Sequence, residues 1–213
     1  QMMEELRRQL LLRLAAGVPD AARRFDPSTG RFLEAGGGWA VTNQDVIYPL
    51  ALRYGTSGTE HYHSAGILEL ALRGGDALRN CQDEQGRFEF VKADGSRWGR
   101  TYMCWSMYHW AEAYGLLRDL AGWERRRRWE EGLRLCYGGV AGELEDSARV
   151  HNISAWHGMG LVRAGQLLDE PRWQQVGRRV MHRTAAAQEP DGYWAEGGGP
   201  TTLYNLIYVH ALG

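Results

Sequence analysis

Lysine is almost missing from this chain. Lys92 is the only one, and arginine supplies the rest of the 25 cationic residues, a bias that reflects base composition. An excess of charge of one sign is missing too. The net charge is -1 at neutral pH, so no global basic field points to nucleic acid as a partner. The local run Arg125-Arg126-Arg127-Arg128 is flanked by Glu124, Glu130 and Glu131 and reads as a solvated helix face. Cysteine is scarce. Cys81, Cys104 and Cys136 stand far apart with no CxxC, a pattern that describes neither a disulfide framework nor a zinc site. They are expected as small buried residues. No apolar run is long enough to span a membrane, and no signal peptide is visible, because the apolar stretch 10–18 is broken by Arg13. A mature periplasmic protein would look the same, which leaves the compartment open. His61 and His63 form an HxH pair, a weak metal signal by itself, and no metal or cofactor is expected.

What is present is an ordinary globular composition, 44% hydrophobic and 24% charged, enough to build a core. Phenylalanine is rare, with four against nine tryptophans and ten tyrosines. Trp and Tyr combine a flat apolar face with a polar edge, which suits core packing and also stacking on sugar rings.

Apolar periodicity near 3.6 predicts helices over 2–16, 44–54, 61–78, 102–120, 123–136, 153–168, 171–187 and 203–212. Gly17 and Gly55 mark expected stops, Pro49 an expected kink, Gly74-Gly75 a weak spot, and Pro171 a first-turn proline. No β-branched alternation rivals these signals. Three connecting loops look alike. Each is a polar turn, a glycine, and an aromatic two residues later: Asp26 to Gly30 and Phe32, Gln82 to Gly86 and Phe88, Gln188 to Gly192 and Trp194. Recurrence in fixed order is how repeat architectures appear in sequence, and a helix pair that cannot bury its own apolar face needs neighbours. The expected class is therefore all-α: one domain over 1–213, built of antiparallel helix hairpins forming an α/α-toroid. About three and a half hairpins are counted, fewer than a closed ring needs. The chain is thus read as an incomplete (α/α)n barrel or a piece of a longer protein, truncated at its C-terminus, with further domains missing.

Two stretches carry a family resemblance. One is His151-Asn152-Ile153-Ser154-Ala155-Trp156-His157-Gly158-Met159-Gly160. The other runs from Asp191-Gly192-Tyr193-Trp194-Ala195-Glu196 through Gly197-Gly198-Gly199-Pro200 to Tyr204-Asn205. With the helix pair between them they resemble the heparinase II/III and alginate lyase group of α/α-toroid polysaccharide lyases, over roughly residues 148–213. The resemblance implies cleavage of a uronic-acid polysaccharide or oligosaccharide, with a periplasmic or secreted location favoured over a bacterial cytoplasm. The gap from Glu196 to Tyr204 is longer than is usual in that group, so Tyr193 and Tyr208 stand beside Tyr204 as alternatives. Residues 188–194 also resemble the Q-x-x-x-G-x-W repeat of triterpene cyclases. No D-x-D-D or D-D-x-x-D acid motif accompanies them, so these loops read as ties between helices.

Cleavage of a uronan by β-elimination removes the proton at carbon 5, beside the carboxylate, and expels the glycosidic oxygen. Asn152 is the candidate that binds the carboxylate and stabilises charge developing on it. Arg149 assists, on one face with Asn152 and Trp156 if the helix extends that far back. Tyr204 is the candidate base. A free tyrosine ionises at about 10, so it needs a cation or donor such as Arg100 or His157. Glu196 is expected to hold a sugar hydroxyl or to orient one of these groups, with Trp194 and Trp105 as stacking platforms and Arg100 and Tyr102 as further substrate contacts. The bland alternatives are a helix cap for Asn152 and structural places for Tyr204 and His157. Gly197-Gly198-Gly199 is read as a flexible turn, since no Lys-Ser/Thr follows it. Two other functions are weighed. A glycoside hydrolase would draw paired acids from Asp45, Glu112, Asp191 and Glu196, Asp45 having a helix-capping alternative. A non-catalytic scaffold would bind sugar on Trp and Tyr alone.

Overall fold

The computed structural model describes residues 2–34, 40–91, 95–196 and 199–213. Lys92 and the Gly197-Gly198 part of the triple glycine lie outside the described residues. Helix makes up 66% of the chain, which sets its class as all-α. No helix among the described residues is long and apolar enough to cross a membrane. Backbone contacts divide the chain into two compact units. Unit 1 comprises residues 1–83 and 87–132, and unit 2 comprises residues 84–86 and 133–213.

Unit 1 begins with helix α1 (Met2–Arg24), acidic at its start through Glu4 and Glu5 and basic at its end through Arg23 and Arg24. Those signs complement the helix dipole. The expected stop at Gly17 is overrun: the helix continues through Pro19 to Arg24 because Val18 and Ala21 are buried there, and packing outweighs local propensity. A two-residue hairpin follows, β1 (Phe25–Asp26) with β2 (Arg31–Phe32). A 3-10 turn (Val41–Val46) then feeds α2 (Ile47–Gly55). Pro49 falls in the first turn of α2, where a missing N–H does no harm, so no kink is needed. The next helix, α3 (Ala65–Cys81), starts later than periodicity suggests. Residues 61–63 form a turn, with His63 at φ 55°. Gly74 and Gly75 are a docking surface and not a weak spot. A Cβ on Gly75 would sit 2.1 Å from the Trp129 ring, and one on Gly74 2.5 Å from Ile47. A β hairpin that periodicity misses comes next, β3 (Phe88–Val91) with β4 (Arg97–Thr101), bulged at Phe90/Val91. Tyr102 follows that hairpin, ahead of α4 (Cys104–Leu117), and is not helical. Trp110 of α4 meets Trp129 of α5 (Trp123–Leu144) edge-on, centroids 6.2 Å apart. Cys104 is buried, whereas Cys81 is only half-buried and receives the Arg31 guanidinium at 3.3 Å.

Unit 2 holds the C-terminal half of α5, then α6 (Asn152–Leu167), α7 (Pro171–Ala186), the pair β5 (Ala195–Glu196) and β6 (Gly199–Pro200), and α8 (Thr202–Leu212). α6 and α7 form a tight hairpin. A Cβ on Gly177 would lie 2.5 Å from the carbonyl oxygen of Gly158, so the two backbones touch where both residues lack side chains. Tyr137 of α5 packs on Trp173, centroids 6.1 Å apart.

The three similar loops share one construction. Gly30, Gly86 and Gly192 all take positive φ, at 73°, 80° and 86°, a region open to glycine. The aromatic two residues later is buried each time: Phe32 and Phe88 fully, Trp194 to 5% exposure. Each turn thus drives a ring under the helices it joins.

Candidate functional site

The residues that carry the resemblance meet in unit 2 at the start of α6 and along α8. His151, in extended conformation, caps α6: its Nδ1 accepts the Ile153 N–H at 3.2 Å. Asn152 is therefore the first residue of the helix and not its cap, and its side chain is buried, the residue being 4% exposed. That side chain turns to Glu196 on β5. The Asn152 backbone N–H donates to Glu196 Oε1 at 2.5 Å, and its Nδ2 donates to Oε2 at 2.8 Å. The Tyr208 hydroxyl donates to the same Oε1. His151 Nε2 lies 3.8 Å from Oε2. One carboxylate, with its side chain only 8% exposed, thus ties the N-terminus of α6 to the middle of α8. A negative group at a helix N-terminus also meets the positive end of the helix dipole.

Tyr208 is fully buried. Burial, then the hydrogen bond and charge of Glu196, hold its phenol well above the usual tyrosine range, with Arg149 pulling weakly the other way. It serves as a donor and does not ionise near neutrality. Tyr204, one turn earlier on α8, is 38% exposed. Side chains four residues apart on a helix share a face, so Tyr204 and Tyr208 lie on one face of α8.

The expected stacking platform Trp194 is corrected. It is 5% exposed, stacks on Tyr208 with centroids 5.1 Å apart and the rings inclined by 21°, and donates its indole N–H to Thr184 O at 2.7 Å. A ring so enclosed has no face left for sugar. Asn205 clamps its backbone, accepting the Trp194 N–H at 2.7 Å and donating to its carbonyl at 3.0 Å. Arg149 is corrected as well. It precedes α6 and is exposed, so it is not on a helical face with Asn152 and Trp156, although its charge reaches Tyr208. His157 is buried inside α6, and Trp156 stacks on His210 at 5.0 Å. Tyr193 is half-buried and Asp191 exposed.

The remaining candidates belong to unit 1. Trp105 is half-buried in the first turn of α4, Tyr102 half-buried before it, and Arg100 on β4 lies 3.8 Å from Asp83. Asp45 does not cap a regular α-helix but sits in the 3-10 turn ahead of α2. Burial pushes its carboxyl up to about 7, against the opposing Ser106 hydroxyl. Its Oδ2 is 3.9 Å from His109 Nδ1, which lies 2.8 Å from the Trp105 carbonyl. Cys104 beside it is pushed up to about 12, chiefly by burial. Glu112 is buried farther along α4. His61 and His63 lie in the 61–63 turn, where the His63 ring stacks against Tyr54 and Tyr62.

Sequence reasoning missed His109, the cap by His151 and the Asn205 clamp. His109 and Asp45 are far apart along the chain, so no local spacing announces them. The Asn205 clamp could have been found, since an amide one residue past Tyr204 faces the loop that ends in Trp194. No protein-family model, curated protein or solved structure matches this chain.

Proposed function

We propose that the protein is a polysaccharide lyase that cleaves a uronic-acid polymer by β-elimination. The observation that carries this reading is the Glu196 carboxylate, which joins Asn152 of α6 to Tyr208 of α8, with Tyr204 one turn from Tyr208 on the same helix face. Asn152 gives one amide hydrogen to Glu196, and in this reading the other meets the uronate carboxylate when substrate opens the way to this buried side chain. Arg149 supplies positive charge on this side of the site, where it acts on Tyr208. Neutralising that carboxylate lowers the cost of charge developing as carbon 5 loses its proton. Tyr204, 38% exposed in the first turn of α8, takes that proton. The electron pair forms the double bond between carbons 4 and 5, the bond from carbon 4 to the glycosidic oxygen breaks, and the phenol returns the proton to the departing oxygen. Glu196, Tyr208 and Trp194 are positioning residues.

An α/α-toroid is the architecture that goes with this chemistry. The even-numbered helices support it. α4 and α6 bury residues on nearly every side, as inner helices must, whereas α5 and α7 are rich in exposed charge, as outer helices are. Within unit 1 α2 packs on α4, and within unit 2 α6 packs on α8, the alternate-neighbour pattern of an inner layer.

A hydrolase is the second reading, favoured by one observation: Asp45, raised to about 7 by burial, is a carboxyl about half protonated at neutral pH, as a general acid requires. Incubation with alginate, heparan sulfate and glucuronan separates the two. The lyase reading expects ultraviolet absorbance to rise as unsaturated ends form, and Tyr204→Phe to abolish the rise while leaving the circular dichroism spectrum unchanged. New reducing ends without absorbance, lost in Asp45→Asn, would select hydrolysis. Neither product from any polymer would sink both.

A further inference from the structure

An open pocket lies in unit 1, where α5 begins. A cavity of about 440 Å³ is lined by Asp76 of α3 and by Trp123, Glu124, Arg125 and Arg128 of α5. Gly122, at φ 73°, turns the chain into α5 and presents Trp123 as its first residue. Trp123 leaves 73% of its surface in water, an unfavourable place for so large an apolar ring. The Arg127 guanidinium lies over it, 5.6 Å from the ring centroid. Arg125 is fixed by Asp76, its Nε donating to Oδ2 at 2.9 Å. The other Asp76 oxygen accepts the Trp129 indole N–H at 2.9 Å, so this acid is already engaged. Arg128 donates to the neutral Asn80 Oδ1 at 2.8 Å. Neither Arg127 nor Arg128 pairs with a carboxylate among the described residues.

The wall therefore combines an open indole, cations with charge to spare, and the carboxylate of Glu124. An apolar ring face beside a cation suits either an acidic sugar or a nucleotide. Glu124 can accept from the hydroxyls of a sugar, and the proposed lyase function selects the acidic sugar. We propose that this cavity is a secondary saccharide-binding site, which takes one uronate unit with its ring face on Trp123 and its carboxylate on Arg128 and holds the polymer without cleaving it. The choice of uronate rests on the lyase reading.

Calorimetric titration of the full chain carrying Tyr204→Phe, with oligoguluronate and oligoglucuronate, tests it. Trp123→Ala and Arg128→Gln should each weaken binding about tenfold, and Trp123→Tyr should restore most of it. A neutral cello-oligosaccharide should feel Trp123→Ala but not Arg128→Gln. In the otherwise unaltered enzyme the same substitutions should leave elimination of short oligosaccharides unchanged and slow turnover of long polymer. Affinities within about twofold of the parent, no saccharide binding at all, or equal binding of a single-stranded oligonucleotide lost with the same substitutions would overturn the proposal. Elimination that persists in these outcomes would leave the lyase reading standing. Binding that depends on Trp123 without elimination on any polymer would remove that reading and keep the site.

Discussion

Glu196 accepts from the Asn152 backbone, the Asn152 amide and the Tyr208 hydroxyl, and it does so almost out of contact with water. Leaving three buried donors without an acceptor costs more than the bonds themselves are worth. Glu196→Ala should therefore lose about 3 to 5 kcal/mol in urea unfolding, and Tyr208→Phe about 1.5 to 3. If Glu196→Ala unfolds within about 0.5 kcal/mol of the parent, the carboxylate is not the tie described. Asp45 makes a different prediction at the same scale. Its carboxyl sits at about 7 in the fold against about 3.9 in an unfolded chain. Between those values the native state holds the extra proton. Its contribution to stability is thus full below pH about 4, fades as pH rises to about 7, and is level beyond. Stability measured across that window should fall for the parent and stay flatter for Asp45→Asn. Parallel curves would show that Asp45 titrates normally.

Helices here are shaped as much by what glycine allows as by what larger residues fill. Gly17 of α1 has nothing within 4 Å of a Cβ, whereas Gly75 of α3 has the Trp129 ring at 2.1 Å. Gly17→Ala should raise stability by about 0.5 to 1 kcal/mol through better helix propensity, and Gly75→Ala should lower it by about 1 to 3 or more through overpacking. Thermal unfolding of the pair gives opposite signs if the packing is right. The similar loops divide in the same way. Gly86 and Gly192 share a positive φ, but a Cβ on Gly86 would strike Cys136 N at 2.5 Å while one on Gly192 meets nothing. Both alanine variants pay for the backbone angle, about 1 to 2 kcal/mol, and Gly86→Ala should lose clearly more. Comparable losses would mean that the loop is not seated on α5. The composition of these loops could be read in the chain, but the surface each one meets could not.

At the scale of the whole chain, contacts fall into two units, each with its own buried rings: Trp110, Tyr114 and Trp129 in the first, Tyr137 and Tyr208 in the second. Local opening follows such contact groups. Deuterium exchange resolved by peptide should show Glu196→Ala loosening α6 and α8 more than α2 and α4. Uniform loosening would mean the chain opens as one. Alkaline unfolding adds a second readout. The Tyr208 phenol is raised above its ordinary value of about 10, so the fold keeps a proton that the unfolded chain releases. Stability should decline from pH about 10 upward, less steeply in Tyr208→Phe. Tyr114, raised to about 12 by burial and Glu130, adds to the same decline.

The chain by itself determined its helices, because apolar spacing, first-turn proline and turn glycines act within a few residues of one another. It also singled out Asn152 and Glu196 as site candidates, each in its own stretch, but not as partners. Tertiary structure decided which tyrosine reaches Glu196, that Trp194 is enclosed and not a sugar platform, that Gly75 receives Trp129, and that Asp45 lies beside His109. Each of these depends on a side chain's burial and on neighbours brought from distant positions. Local pattern carries no record of either, since burial is set only when elements pack.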